Sequence, residues 1–243
     1  MKPNVLTAIT MSLALAMSAT LSQGQERQFP TNRPAGELNA LTDQEKADGW
    51  KLLFNGVDLA GWERDETYAN DKGEWTVEAG IVISEKGASH LFTTKKYKNF
   101  IASWDVCAYD VNPLKQRFGN SGVFLRGIKN GRGFPEGYEV QVDPYDIRNP
   151  TGGIYGKAPG NLLVDPVTKQ WKPEAFFDVH EGKWIHQKAL ILDNHIIIWI
   201  NGQITLDWVD TEHSFMEAGH IALQNHHPTD VVLFTNIKIK ELD

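Results

Sequence analysis

"WIHQKALILDNHIIIWINGQITLDWV", Trp184 to Val209, reads as three strands and two tight turns. Apolar residues recur through Trp184–Leu192, His195–Ile200 and Gln203–Val209, and the dipeptides Asp193-Asn194 and Asn201-Gly202 between them are those that two-residue hairpin turns favour. Outward from this stretch the same grammar continues. Short apolar or alternating runs punctuated by Gly, Asn, Asp or Pro predict further strands over 51–54, 75–78, 81–84, 99–109, 121–128, 138–142, 220–225 and 231–240. No segment sustains a 3.6-residue period. The fold class is therefore all-β, and hairpin-linked strands in this number predict two stacked antiparallel sheets, a β-sandwich or jelly roll.

Of the 243 residues, 41% are hydrophobic and 23% charged, which suits one globular domain with a substantial core. The formal net charge of -7 and the absence of a Lys/Arg run argue against nucleic acid or an anionic membrane surface as partner. Lys2 followed by an apolar, small-residue stretch to Leu21 reads as a secretory signal peptide over 1–24. The mature protein is then exported, periplasmic or secreted, with no integral membrane segment. Residues 25–46 read as a flexible leader, with one helical turn capped by Thr42 or Asp43, and 47–243 as the folded domain. Cys107, the single cysteine, sits in an alternating strand and reads as core.

Three strands carry a polar face. In "YEVQVD", Tyr138 to Asp143, the two-residue alternation sets Val140 and Val142 against Glu139, Gln141 and Asp143. In "GNSGVFLRG", Gly119 to Gly127, it places Asn120, Phe124 and Arg126 together; in "HIALQNHH" it places Gln224 and His226 opposite Leu223. Brought into one sheet, these residues supply a titratable carboxyl, a cation, an imidazole and several amides, a set suited to a polyol. An ordinary solvated sheet face is the plainer reading. Tyr155 and Trp184, with Tyr138, Tyr145 and Trp171, offer flat apolar surfaces for a sugar ring. Glu139, Asp143 and His226 would suit a divalent metal ion if they converge. CxxC and HExxH motifs are absent, "TGGIYGKAPGN" lacks the Lys-Ser/Thr ending of a phosphate loop, and "NSG" is no nucleophile elbow.

Taken together, "GWKLLFNGVDLAGW" (Gly49 to Trp62), "GNSGVFLRG", "YEVQVD", "TGGIYG" (Thr151 to Gly156), "INGQ" (Ile200 to Gln203), "GHIALQNH" (Gly219 to His226) and "NIKIKEL" (Asn236 to Leu242) resemble the 3-keto-disaccharide hydrolase family. The pieces span nearly the whole mature chain. The chain departs from the family pattern at Trp184-Ile185, where a Trp-Asn pair is usual, and at Thr235, where an Arg is usual. The resemblance implies a concanavalin A-like jelly roll that cleaves glycosides oxidised to a ketone at C3. The ketone acidifies the C2 proton, so a base removes it, the enolate expels the C1 substituent and water adds back. In these terms Glu139 or His226 is the base and the other protonates the leaving oxygen. Arg126, or a metal held by the carboxylates, steadies the enolate, while Asn120, Gln141, Asp143, Tyr155, Gln224 and Trp184 bind substrate.

Other readings remain open at this stage. Glu139 and Asp143 could serve a retaining glycosidase on an unoxidised glycan, although four strand residues span roughly 13 Å and that mechanism places its carboxyl groups about 5 Å apart. A non-catalytic, lectin-like carbohydrate-binding module or a structural interaction domain would also use this architecture.

Overall fold

The computed structural model describes residues 34–65, 72–87, 89–110, 119–143, 146, 148–158 and 183–243. The expected signal peptide, Tyr145, Trp171 and most of the long stretch between Asp143 and Lys183 lie outside the described residues. The elements are α1 (Asp43–Ala47), β1 (Lys51–Leu52), β2 (Trp62–Arg64), β3 (Glu74–Glu78), β4 (Ile81–Glu85), β5 (Ser89–Thr93), β6 (Phe100–Asp110), β7 (Ser121–Ile128), β8 (Glu136–Val142), β9 (Ile185–Leu192), β10 (His195–Ile200), β11 (Gln203–Val209), β12 (His220–Asn225) and β13 (Asp230–Glu241).

The strands form two antiparallel sheets. The larger has the order β11-β10-β9-β6-β13-β4-β3, with β1 added alongside β13; the smaller has the order β2-β5-β12-β7-β8. This is the expected sandwich. The opening stretch supplies one end of the larger sheet: Ile196, Ile198 and Ile200 point inward in strict alternation, as do Ile185, Ala189 and Ile191. Between β10 and β11 the chain turns at Asn201 and Gly202, both with positive φ (48° and 83°), as a type I′ hairpin requires.

Packed against these residues are Val123, Leu125, Val140, Val142, Ile221 and Leu223 from the smaller sheet, and burial of these apolar faces holds the layers together. Polar links also cross between the sheets. Trp104 Nε1 donates to Gln187 Oε1 (2.7 Å), and Gln187 Nε2 donates to the Gln141 carbonyl oxygen (3.3 Å). That fixes β8 against the larger sheet.

β2 and β5 are additional to the strands expected from sequence. "SHLFT" is buried at every residue, so it shows no polar alternation to announce it. Within the stretch expected as leader, α1 forms with the full reciprocal capping box between Thr42 and Glu45. Just before it the Asn39 side chain donates to the Gly80 carbonyl oxygen and accepts from the Asn236 N–H, so this part of the leader is docked on the larger sheet. Cys107 is buried as expected.

β7 and β12 meet with a register shift at their far end, where Gly219 lies against Arg126. A Cβ on Gly219 would stand 2.4 Å from the Arg126 carbonyl carbon and oxygen, and backbone cannot yield as a flexible side-chain tip can. Gly219→Ala should therefore lose about 1–3 kcal/mol to overpacking, read as a lower urea midpoint. An unchanged midpoint would mean that the two backbones separate freely.

Candidate active site

β8 leads to the site. Its inward residues Tyr138, Val140 and Val142 enter the core, and Glu139 and Gln141 emerge on the outer face of the smaller sheet. The register carries that face across four strands. Glu139 pairs with Phe124, Phe124 with Ala222, and Ala222 with Phe92; in the neighbouring row Gln141 pairs with Gly122 and Gln224 with His90. Asn120, Glu139, Gln141, Phe124 and Gln224 floor a cleft of about 440 Å³. The three polar strands thus share one sheet, as expected.

Gly122 makes room for the carboxyl. A Cβ there would approach Glu139 Oε1 to 2.5 Å, so only a hydrogen at that position lets Glu139 lie back against the sheet. Glu139 is 8% exposed, and burial pushes its carboxyl up to about 7 while a hydrogen bond from the Gln224 amide pulls the other way. Burial wins. The carboxyl therefore titrates near neutrality rather than in the usual glutamate range.

Around it stand acceptors without partners among the described residues: Asn120 Oδ1, Gln141 Oε1 and Gln224 Oε1 are buried and make no hydrogen bond there. Their orientation has a cause in two cases. Asn120 Nδ2 donates to Asp143 Oδ2 (2.8 Å), and because a carboxylate only accepts, the Asn120 oxygen must point elsewhere; Gln224 likewise turns its amide N–H toward the Glu139 carboxyl. Buried acceptors in this state call for donors from a ligand or water, and sugar hydroxyls are such donors.

Loops build the walls. Residues 151–158 dock beside β8, where Tyr155 N–H donates to the Glu139 carbonyl oxygen (2.9 Å) and Ile154 bridges Val140. Tyr155, 52% exposed, and Lys157 line this side. Across the floor His226 lines the cleft with Phe134, whose ring lies 5.5 Å from those of both His226 and His90. Phe215 completes the lining from the loop after β11.

Of the expected site residues, the structure gathers Asn120, Glu139, Gln141, Tyr155, Gln224 and His226. Asp143 does not line the cleft; its carboxylate accepts from Asn120 Nδ2 and from the Asp146 N–H, which makes it a positioning residue for Asn120. Arg126 is placed elsewhere. A bulge between Leu125 and Ile128 and a left-handed backbone (φ 52°) at Arg126 break the alternation that put it beside Phe124. Its guanidinium is buried among main-chain acceptors: Nε donates to Lys98 O (2.6 Å), Nη1 to Asp193 O and Phe215 O (2.8 Å each), and Nη2 to Asn99 Oδ1. It ties three loops together and does not line the cleft.

Trp184 is likewise remote, packed with Ile81, Ile83, Cys107, Val231 and Leu233 on the outer face of the larger sheet. Thr235 donates to the Gly80 carbonyl oxygen on that same sheet. Both departures from the family pattern thus fall away from the cleft. The expected three-ligand metal set is not assembled: among the described residues no three His, Cys, Asp or Glu side chains converge. Glu139 and His226 remain as the two expected ligands that share the cleft.

Phe134, Lys157, Phe215 and His90 were not among the expected site residues. The first three come from loops, where periodicity carries no information, and His90 comes from the strand without polar alternation. "GFPEG" and "YGK" offered only an aromatic or a cation flanked by glycines.

Comparison with known proteins agrees with this architecture. The family model described as the 3-keto-alpha-glucoside-1,2-lyase-like domain matches residues 49–240. A "putative glycosyl hydrolase" from Parabacteroides distasonis ATCC 8503 is 26% identical, with a TM-score of 0.64 over 85% of this chain and 100% of its own. A second, from the same organism and described in the same words, is 25% identical, with a TM-score of 0.54 over 80% of this chain and 84% of its own. Among curated proteins none matches the chain.

Two predictions follow from the floor of the cleft. Below about pH 4.5 the Glu139 carboxyl is protonated in folded and unfolded chains alike. As pH rises from about 4.5 to about 7 the unfolded chain is favoured by up to about 3 kcal/mol, because its carboxyl ionises in water while the buried one stays protonated, and above about 7 the difference levels off. Glu139→Gln removes that linkage, so its melting temperature should gain on the wild type between pH 5 and pH 8; a gap that stays flat would mean that the carboxyl ionises as easily folded as unfolded. Gly122→Ala should displace the carboxyl, lowering turnover at least about tenfold in a chain that still folds; undiminished turnover would show that the Glu139 rotamer is immaterial.

Proposed function

The chain belongs to the 3-keto-alpha-glucoside-1,2-lyase-like family, a carbohydrate-active jelly roll, and on that premise we propose that it cleaves glycosides bearing a ketone at C3 of the sugar. The observation that carries this reading is the Glu139 carboxyl, raised to about 7 and surrounded by amide acceptors. A base for a proton α to a ketone needs a pKa near the working pH, so that it is both available and strong enough. A glutamate at its ordinary value would be the weaker base by more than two orders of magnitude in proton affinity.

Asn120, Gln141 and Gln224 accept from sugar hydroxyls and set the ring over Glu139. The Glu139 carboxylate takes the C2 proton, and the C–H electron pair forms the C2–C3 double bond as the carbonyl pair moves to oxygen. When the ketone re-forms, the C1–C2 double bond appears and the C1–O bond breaks. His226, across the floor, delivers a proton to the departing oxygen. Water then adds its hydroxyl to C1 and gives its proton to His226, while Glu139 returns its proton to C2, so both groups are restored and the net change is hydrolysis. With Asp143 engaged by Asn120, the pair Glu139 and Asp143 does not face a substrate as a retaining glycosidase would require. The signal-like residues 1–24 place this activity, in our reading, outside the cytoplasm.

The test is sugar release and C2 hydrogen–deuterium exchange, with a 3-keto-disaccharide and its unoxidised parent as substrates. Only the keto sugar should exchange and be cleaved, with kcat/KM rising as pH passes through about 7 and Glu139 ionises. Glu139→Gln should lower turnover by about 10²–10⁴-fold. Cleavage of the parent at a comparable rate would overturn the mechanism, and binding of both sugars without turnover would make the cleft a recognition site.

A further inference from the structure

With Arg126 buried among carbonyl oxygens, the cleft needs another source of positive charge for the oxyanion that develops at C3. We propose that Lys157 is that source: its ammonium stabilises the enolate oxygen formed when Glu139 removes the C2 proton. The inference rests on the reading of the reaction given above.

Among the described residues lining the cleft, Lys157 is the only Lys or Arg. It is held in place rather than waving in solvent, since Nζ donates to Glu212 Oε2 (2.8 Å) and Ser214 Oγ (3.1 Å). The backbone that carries those partners is itself fixed. The Asp210 carboxylate, fully buried, accepts from the Ser214 N–H (2.8 Å), the Glu212 N–H (3.0 Å) and the Tyr138 hydroxyl (2.7 Å).

Tyr138 is the chain neighbour of Glu139. One face of β8 therefore carries the base into the cleft, and the other face, through Tyr138, Asp210 and the loop bearing Glu212 and Ser214, anchors the cation. Lys157 is tied to the same strand from its own side as well, because the 151–158 loop is hydrogen-bonded to the backbone of Glu139. A donor aimed in advance at developing charge costs no reorganisation during reaction. An ammonium has three protons; two are taken by Glu212 and Ser214, and one remains for the oxyanion.

In the step itself no proton leaves Lys157. Glu139 gains the C2 proton, the ketone oxygen gains the electron pair, and the Lys157 ammonium donates a hydrogen bond to that oxygen until the ketone re-forms. The contact is stronger with the enolate than with the neutral ketone, so it acts on kcat more than on KM.

The test uses the full mature chain with Lys157→Met and Lys157→Arg, a 3-keto-disaccharide as substrate, and C2 deuterium exchange beside turnover; circular dichroism confirms folding. Lys157→Met should lower kcat and the exchange rate together by about 10²–10³-fold, the loss typical of one oxyanion donor, with KM little changed. Lys157→Arg, which keeps the charge, should recover most of the loss. If the wild type is active and Lys157→Met keeps its kcat, or loses only KM, Lys157 does not meet the oxyanion and the assignment is wrong while the proposed function stands. A wild type that neither exchanges nor cleaves would remove both.

Discussion

Holding the Glu139 carboxyl out of water is unfavourable, and the neighbouring residues make sense as the means of tolerating it. Gly122 removes the side chain that would push the carboxyl outward. Phe124, directly opposite, and the 151–158 loop exclude solvent from its sides. Gln224 supplies a hydrogen bond but no compensating charge, and the carboxyl accordingly settles near neutrality rather than at the ordinary glutamate value. A nearby ammonium in direct contact would have cancelled that effect. Lys157 lies in the same cleft, yet its two hydrogen bonds go to Glu212 and Ser214 and it does not figure among the influences on Glu139.

The rigidity that this arrangement needs comes from the sandwich. β8 is the edge of the smaller sheet, where a strand would otherwise be loose. The Ile154 bridge covers its outer edge, Gln187 fastens it across the core, and the Tyr138 hydroxyl joins it to Asp210. Burial and the hydrogen bond to Asp210 raise the Tyr138 phenol to about 12, so it keeps its proton and remains a donor. Arg126 does comparable work for the loops: one guanidinium satisfies carbonyl oxygens at Lys98, Asp193 and Phe215, and so holds the backbone beneath the Phe215 wall.

What could be read from sequence follows from what periodicity encodes. The hairpins at Asp193-Asn194 and Asn201-Gly202 were legible because local turn chemistry and alternating burial agree there. The polar face holding Glu139, Gln141 and Gln224 was legible because a strand with one face in the core must show the other. Arg126 was misplaced by one local event, the bulge after Leu125, which alternation cannot foresee. Trp184 shows the limit of composition: an indole near a polar strand suits sugar stacking and hydrophobic packing equally, and its contacts with Ile81, Cys107 and Leu233 put it in the latter. Phe134 and Lys157 were hidden because loop geometry depends on long-range contacts, here with His90 and with Glu212.

The docking of Asn39 sets where the segment ahead of α1 meets the body of the protein. Asn39 and Leu38 attach to the outer face of the larger sheet, and the cleft opens on the outer face of the smaller one. The thickness of the sandwich separates the point of attachment from the mouth. A substitution at Leu38 or Asn39 would therefore act on the back of the sandwich, a full layer away from the floor of the cleft.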